Sequence, residues 1–173
     1  MIFDMDMDKC VACGACAVAC MDQNDIWPDR GDKPYRTVGT LEPFPGGNGI
    51  GYFSMSCMHC DDPPCIAACP VCCLKKDAGT WLTVYDNSLC IGCHSCAMAC
   101  PIGAPAYDQE GKMNKCRGCV ERIQNGMQPA CVRICPTGAL TCRRQDEFDA
   151  AERGASLREF MENSRKSVSE AAK

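Results

Sequence analysis

From Phe3 to Asp8 the chain alternates apolar and acidic side chains. A period of two predicts a strand with one buried face. Two further runs, "YRTVGTLE" and "IGYFSMS", flank the turn-rich "PFPGGNG", an order that predicts an inserted β-hairpin over 34–54. "GTWLTVYDN" and "GALTCR" read as two short strands. Segments such as "CAMAC" and "CVRIC" read as short helices, each separated from the next loop by the Pro that follows it. Near the end, Leu157, Phe160, Met161 and Val168 recur at roughly helical spacing, which predicts a helical tail over 146–173. Its expected role is to dock on the chain's own domain, or else on a partner. The mixture of short elements is α+β.

What these elements lack is a core. Aromatic residues make up 6% of the 173 residues, and large aliphatic residues are few, whereas cysteines number 19. Cysteine at this density means a disulfide scaffold or a metal protein. A disulfide scaffold predicts an even count and a secretory leader, yet the count is odd and the opening "MIFDMDMDKC" is acidic. The thiols are therefore expected to be metal ligands, whose binding free energy becomes folding free energy. A formal charge of −4 argues against nucleic acid as a partner. No stretch approaches the roughly 18 consecutive apolar residues of a membrane span. The expected location is the cytoplasm, with export on a partner's signal as the other route.

The cysteines fall into four groups. Group one is Cys10, Cys13, Cys16 and Cys20; group two is Cys57, Cys60, Cys65 and Cys69. Group three is Cys90, Cys93, Cys96 and Cys100; group four is Cys116, Cys119, Cys131 and Cys135. Every group ends in C-x3-C, and the last three place Pro70, Pro101 or Pro136 directly after it. This internal repeat absorbs 16 of the 19 cysteines. Three thiols at C-x2-C-x2-C let a short loop wrap one corner of a cubane, and the fourth, a helical turn later, points to a neighbouring cluster. Four groups imply two pairs and four [4Fe–4S] clusters. Rival readings fare worse. Zinc sites use pairs of thiols across a long loop, not triplets followed by a lone fourth. Cys90, Cys93 and His94 spell a haem-attachment motif, but haem would orphan Cys96 and Cys100. Cys65, Cys69 and Cys72 have radical-SAM spacing, but that reading strips group two and leaves no room for a barrel.

The segments "SCMHCDDPPCIAACP", "DNSLCIGCHSCAMACPIGAPAYD" and "GKMNKCRGCVERIQNGMQPACVRICPTGAL" resemble the four-cluster iron–sulfur subunits of the dimethyl-sulfoxide-reductase type of molybdenum and tungsten oxidoreductases. The resemblance runs over roughly residues 8 to 142 and is specific to the family, not to a substrate. It implies a ferredoxin-like fold of two nested modules: an outer one from 1–33 and 110–145, and an inner one from 55–109. It also implies the ligand sets. One cluster takes Cys10, Cys13, Cys16 and Cys135, and its neighbour takes Cys116, Cys119, Cys131 and Cys20. The inner pair takes Cys57, Cys60, Cys65 with Cys100, and Cys90, Cys93, Cys96 with Cys69. Charge agrees with the nesting. Residues 1–32 hold seven Asp against Lys9 and Arg30, a net of −5, and residues 112–144 hold seven Lys and Arg against Glu121, a net of +6.

The function so implied is electron transfer rather than catalysis, since no Ser/His/Asp constellation or phosphate loop is present. The implied partners are a molybdenum- or tungsten-pterin catalytic subunit, a soluble tungsten aldehyde oxidoreductase for example, and a second redox subunit or soluble carrier. A free-standing polyferredoxin and the iron–sulfur subunit of a hydrogenase or formate-linked complex are the alternatives. Exposed end clusters would also let copies stack end to end. The hairpin insert and the tail are expected to be docking surfaces. Cys72, Cys73 and Cys142 stand outside the scheme and are expected to be small buried hydrophobes, with a reserve ligand as the other reading. His59 and His94 lie in cluster loops as hydrogen-bonding neighbours that tune potential. The basic run around group four is expected to raise the potential of its nearest cluster, with Arg117 as its probe.

Overall fold

The computed structural model describes residues 1–42 and 49–144. Four two-stranded antiparallel ribbons, five short α-helices and two single-turn 3-10 helices make up the regular structure of the described residues. Strand β1 (Ile2–Met5) carries the alternation into space: Phe3, Met5 and Met7 are buried, whereas Asp4 and Asp6 are half-exposed. It pairs with β8 (Leu140–Arg143) at the far end of the described chain, in the register Phe3↔Cys142 and Met5↔Leu140. The hairpin forms as expected from β2 (Thr37–Leu41) and β3 (Gly51–Met55), while its turn, 43–48, lies outside the described residues. Strand β5 (Thr83–Tyr85) falls within "GTWLTVYDN" and pairs with β4 (Leu74–Lys76). A two-residue ribbon of β6 (Ala106–Tyr107) and β7 (Met113–Asn114) completes the set.

The helices follow the cysteine repeat and its prolines. Helix α3 (Ser95–Ala99) and helix α5 (Ala130–Ile134) both stop at a cysteine with extended backbone, Cys100 and Cys135. Pro101 and Pro136 come next, and a residue before proline is driven out of helical space. Helix α2 (Pro64–Ala67) is as short. Group one has Met21 where the others have Pro, and helix α1 (Ala15–Gln23) runs on for nine residues. Helix α4 (Val120–Gln124) was not expected and fills the widened gap of group four.

Two buried clusters form the core. The larger joins Phe3, Met5, Met7 and Leu140 to Leu82 and Val84, with Cys16, Val120 and Cys131 among them. The smaller joins Leu74 and Met113 to Cys65, Cys73, Cys90 and Cys96. Thiols occupy positions where an ordinary domain would place Leu or Val. Helix α1 packs on α5, and α2 on α3, so the elements of group one meet those of group four and group two meets group three. Among the described residues no helix is long and apolar enough to cross a membrane. Residues 146–173, with Leu157, Phe160, Met161 and Val168, lie outside the described part.

Candidate functional site

Each cysteine loop begins with the same backbone device. The second residue after the first thiol, Ala12, His59, Gly92 or Gly118, takes a positive φ of 50°, 47°, 66° or 71°. That region strains any residue with a side chain, and glycine occupies it at only two of the four places. In three loops the turn aims an N–H at the first sulfur: Ala12 to Cys10 Sγ at 3.5 Å, Gly92 to Cys90 Sγ at 3.4 Å and Gly118 to Cys116 Sγ at 3.3 Å. N–H groups aimed at ligand sulfur stabilise negative charge there and raise a cluster's potential.

The loops bring thiols of different groups together. One hollow, with about 340 Å³ of empty space partly open to solvent, is walled by Cys10, Cys13, Cys16 and Cys135. A second, of about 300 Å³, is walled by Cys69, Cys90, Cys93 and Cys96, with Cys73 beside them. The thiols that press on Cys20 are Cys116, Cys131 and Cys119, and those that press on Cys65 are Cys57, Cys100 and Cys60. All 19 cysteines are free. Among the described residues no three His, Cys, Asp or Glu side chains converge on a point where one ion could sit. A cubane takes one thiolate per iron and spreads its ligands around a hollow. The donor set therefore fits an iron–sulfur cube.

Burial differs from thiol to thiol. Cys20 and Cys65 are buried, and desolvation pushes their thiols up to about 12 and about 11. Unloaded, these groups are protonated at neutral pH and must give up a proton to take iron. Cys93 and Cys13 are exposed. The Ser95 side chain and backbone hold Cys93 below the usual thiol value. Exposed apolar residues surround these two loops: Val11 and Val18 beside Cys13, Ile91 and Met98 beside Cys93.

Two buried cations were not legible as such. Arg36, 4% exposed, lies just before β2 and donates from Nη1 to Ser54 O at 3.1 Å and Ser54 Oγ at 2.9 Å. Its Nη2 donates to Ser56 Oγ at 2.8 Å and reaches Cys131 Sγ at 3.5 Å. Burial opposes its charge, but the thiolates of Cys131, Cys116, Cys16 and Cys20 outweigh that and raise its pKa. Lys115 is 0% exposed. Charged residues this deep need paired charge and satisfied donors. The base of the hairpin insert thus packs on this chain's own thiols, with Ser54 Oγ 3.1 Å from Cys16 Sγ. Arg117, the expected probe, is paired with Glu121 at 3.1 Å and its side chain is 42% exposed.

The remaining expectations divide. Cys73 is buried at 2% exposure, as a small hydrophobe would be, and Cys142 is half-buried. Cys72 is exposed, contrary to expectation, because it takes the left-handed turn (φ 51°) between α2 and β4. His59 is 2% exposed and its Nδ1 accepts the Thr83 N–H at 3.0 Å. His94 is exposed and stacks on Tyr107, ring centroids 3.8 Å apart. The Tyr107 hydroxyl lies 3.3 Å from Cys96 Sγ. Tyr107 thus joins His94 to the thiol of Cys96.

Comparison with known proteins agrees with this chemistry. Residues 49–145 match the 4Fe-4S dicluster domain family, a span that holds groups two, three and four. The chain is 39% identical over 151 residues to the probable anaerobic dimethyl sulfoxide reductase chain YnfG of Escherichia coli (strain K12), covering 80% of this chain and 70% of that one. It is 37% identical over 149 residues to the thiosulfate reductase electron transfer subunit PhsB of Salmonella typhi, covering 83% and 76%. It is 35% identical over 177 residues to the hydrogenase-2 operon protein HybA of Escherichia coli O157:H7, covering 87% of this chain but 53% of that protein, so the chain spans about half that relative's length. The match and the thiol sets make [4Fe–4S] clusters the cofactor, and sixteen grouped thiols suffice for four of them.

Proposed function

The chain belongs to the 4Fe-4S dicluster domain family, and from that premise we propose that it is the electron-transfer subunit of a larger oxidoreductase. Its clusters would pass single electrons between a molybdenum- or tungsten-pterin catalytic subunit and a second redox partner. The ligand sets we propose are Cys10, Cys13, Cys16 with Cys135; Cys116, Cys119, Cys131 with Cys20; Cys57, Cys60, Cys65 with Cys100; and Cys90, Cys93, Cys96 with Cys69. The observation that carries this is the pair of hollows, each walled by three thiols of one group and the last thiol of another. A chain of single-cluster sites would instead close each group on itself. The proposed fold is correspondingly two nested modules, the outer closed by the β1–β8 ribbon.

When bound, each cluster supplies a one-electron couple. The protein's part is to place the couples in a row and set their potentials through charge, hydrogen bonds and burial. Cys13 and Cys93 are exposed in the two outermost sets, whereas Cys20, Cys57 and Cys65 of the two inner sets are buried. Electrons would therefore enter and leave at the ends. The partner's metal is tested by purifying the native complex without air and assaying it. Molybdenum or tungsten running with this chain on gel filtration is the expected result, and a chain that elutes alone would refute the subunit reading. A hydrogenase partner is the second reading, favoured by the likeness to HybA; nickel in place of a pterin metal would select it.

A further inference from the structure

The loops of groups two and four meet at one joint. Gly118 stands at φ +71°, and a Cβ there would lie 2.7 Å from Leu82 Cδ1 and 3.3 Å from the His59 ring. A larger residue there would have to displace the Leu82 side chain or the ring. His59 is itself tied to β5 through the Thr83 N–H. The Cys116 thiol feels the charges of both Cys57 and Lys115, so the first sulfurs of the two loops share one neighbourhood.

Lys115 fills that space. Its Nζ donates to Thr83 O at 2.7 Å and Cys116 O at 2.9 Å, and it stands 3.5 Å from Cys57 Sγ. The side chain is wholly buried. The two carbonyls take two of its three donors and bring no opposite charge, and the third points to the Cys57 sulfur. The ion pairs of Lys9 with Asp6 and of Arg117 with Glu121 lie elsewhere. An ammonium taken out of water is strongly disfavoured unless a counter-charge faces it. The negative groups that do face it are the cluster thiolates of the two loops.

We propose that Lys115 is a positioning cation shared by two clusters, the one bound through Cys57 and the one bound through Cys116, and that it raises the reduction potentials of both together. The assignment rests on the ligand sets given above. A positive charge held at fixed distance stabilises the electron added to either neighbour, and the effect falls off with separation. The outermost clusters are each screened from Lys115 by one of these two. The joint is thus where the inner and outer pairs are tied electrically as well as mechanically.

The test is a potentiometric titration of the fully loaded chain, followed by electron paramagnetic resonance, on Lys115→Met, Lys115→Gln and Lys115→Arg. Two of the four waves should move to more negative potential in the neutral variants, the other two should stay, and Lys115→Arg should restore both. No movement, movement of one wave, or equal movement of all four would overturn the proposal. If Lys115→Met does not load, Lys115→Gln, whose amide can still reach the carbonyls, carries the comparison. Iron lost from Gln and Arg variants alike would make the residue a packing requirement and overturn it. Iron lost from both neutral variants but kept by Lys115→Arg would support the need for charge. Cys57→Ser and Cys116→Ser separate this from the ligand reading. If they disturb the same wave, the ligand sets fail and the shared cation with them. If they disturb two different waves and the Lys115 variants move neither, only the shared cation fails.

Discussion

The site around Cys20, Cys116, Cys119 and Cys131 and the site around Cys69, Cys90, Cys93 and Cys96 are built from the same loop and lie in different surroundings. The first has Arg36 against Cys131 and Lys115 at its joint with group two, both buried cations. The second is lined by Leu74, Met113, Cys73 and Tyr107. The cation beside it, Lys112, is half-exposed and donates to the Cys90 carbonyl at 2.7 Å rather than to a sulfur. Repetition of one binding loop fixes the cofactor, and what surrounds each copy sets them apart. Removing neighbours should therefore move the first site far and the second little.

The largest effect is expected from Arg36→Met. It empties a guanidinium site that bonds Ser54, Ser56 and Cys131. Breaking such a buried charge contact costs about 3–5 kcal/mol of stability. Where clusters load, those held by Cys131 and by Cys16, thiols whose charges act on Arg36, should fall in potential by on the order of 100 mV, taking an effective dielectric of about 20. Thermal unfolding and the same titration check both parts. A drop confined to the Cys69 site would break the comparison.

At the second site the tuning groups are neutral, and smaller shifts follow. Cys73→Ala removes a buried thiol that hydrogen-bonds with Cys90. Tyr107→Phe removes the hydroxyl beside Cys96. A single hydrogen bond has a net worth of about 1 kcal/mol, so each change should lower one potential by roughly 20–60 mV and leave the other three in place. Movement of a second wave in either variant would show that the sites are less separate than the structure implies. Arg117→Glu should lower one potential by less again, because the guanidinium is half-exposed and already paired with Glu121.

Loading with iron gives a further contrast. The raised thiols of Cys20 and Cys65 must each lose a proton to bind iron, while Cys93 starts below the usual thiol value. Proton release means that binding strengthens as pH rises and weakens as it falls. Reconstitution between about pH 8.5 and pH 6.5 should lose iron from the interior sites before the Cys93 site. Equal loss at all sites, read from the four resonance signals, would contradict this.

How much of this could be read from the chain depends on the feature. Strand β1, the hairpin and β8 follow from period-two patterns and turn residues, and the helix ends follow from Pro101 and Pro136. Even the longer α1 is explained by Met21 standing where Pro would be. Strands β4, β6 and β7 escaped because two- and three-residue ribbons carry too little pattern to show a period. Arg36 and Lys115 escaped for a different reason. A lone cation in sequence is read as surface, and only a fold that closes anionic thiols around it makes burial favourable. Arg117 stands out in the sequence only as one member of the basic run, and it pairs with Glu121, whereas Lys115 of the same run is the buried cation. Cys72 was mistaken for buried because its left-handed turn cannot be seen in a pair of adjacent cysteines.

The central claim is that sixteen thiols hold four cubane clusters in this chain. Mössbauer spectroscopy with iron counting, on the full chain loaded with ⁵⁷Fe without air, addresses it most directly. The account predicts about 16 iron per chain, all in four-iron clusters. About 8 iron, or zinc retained in place of iron, would contradict it.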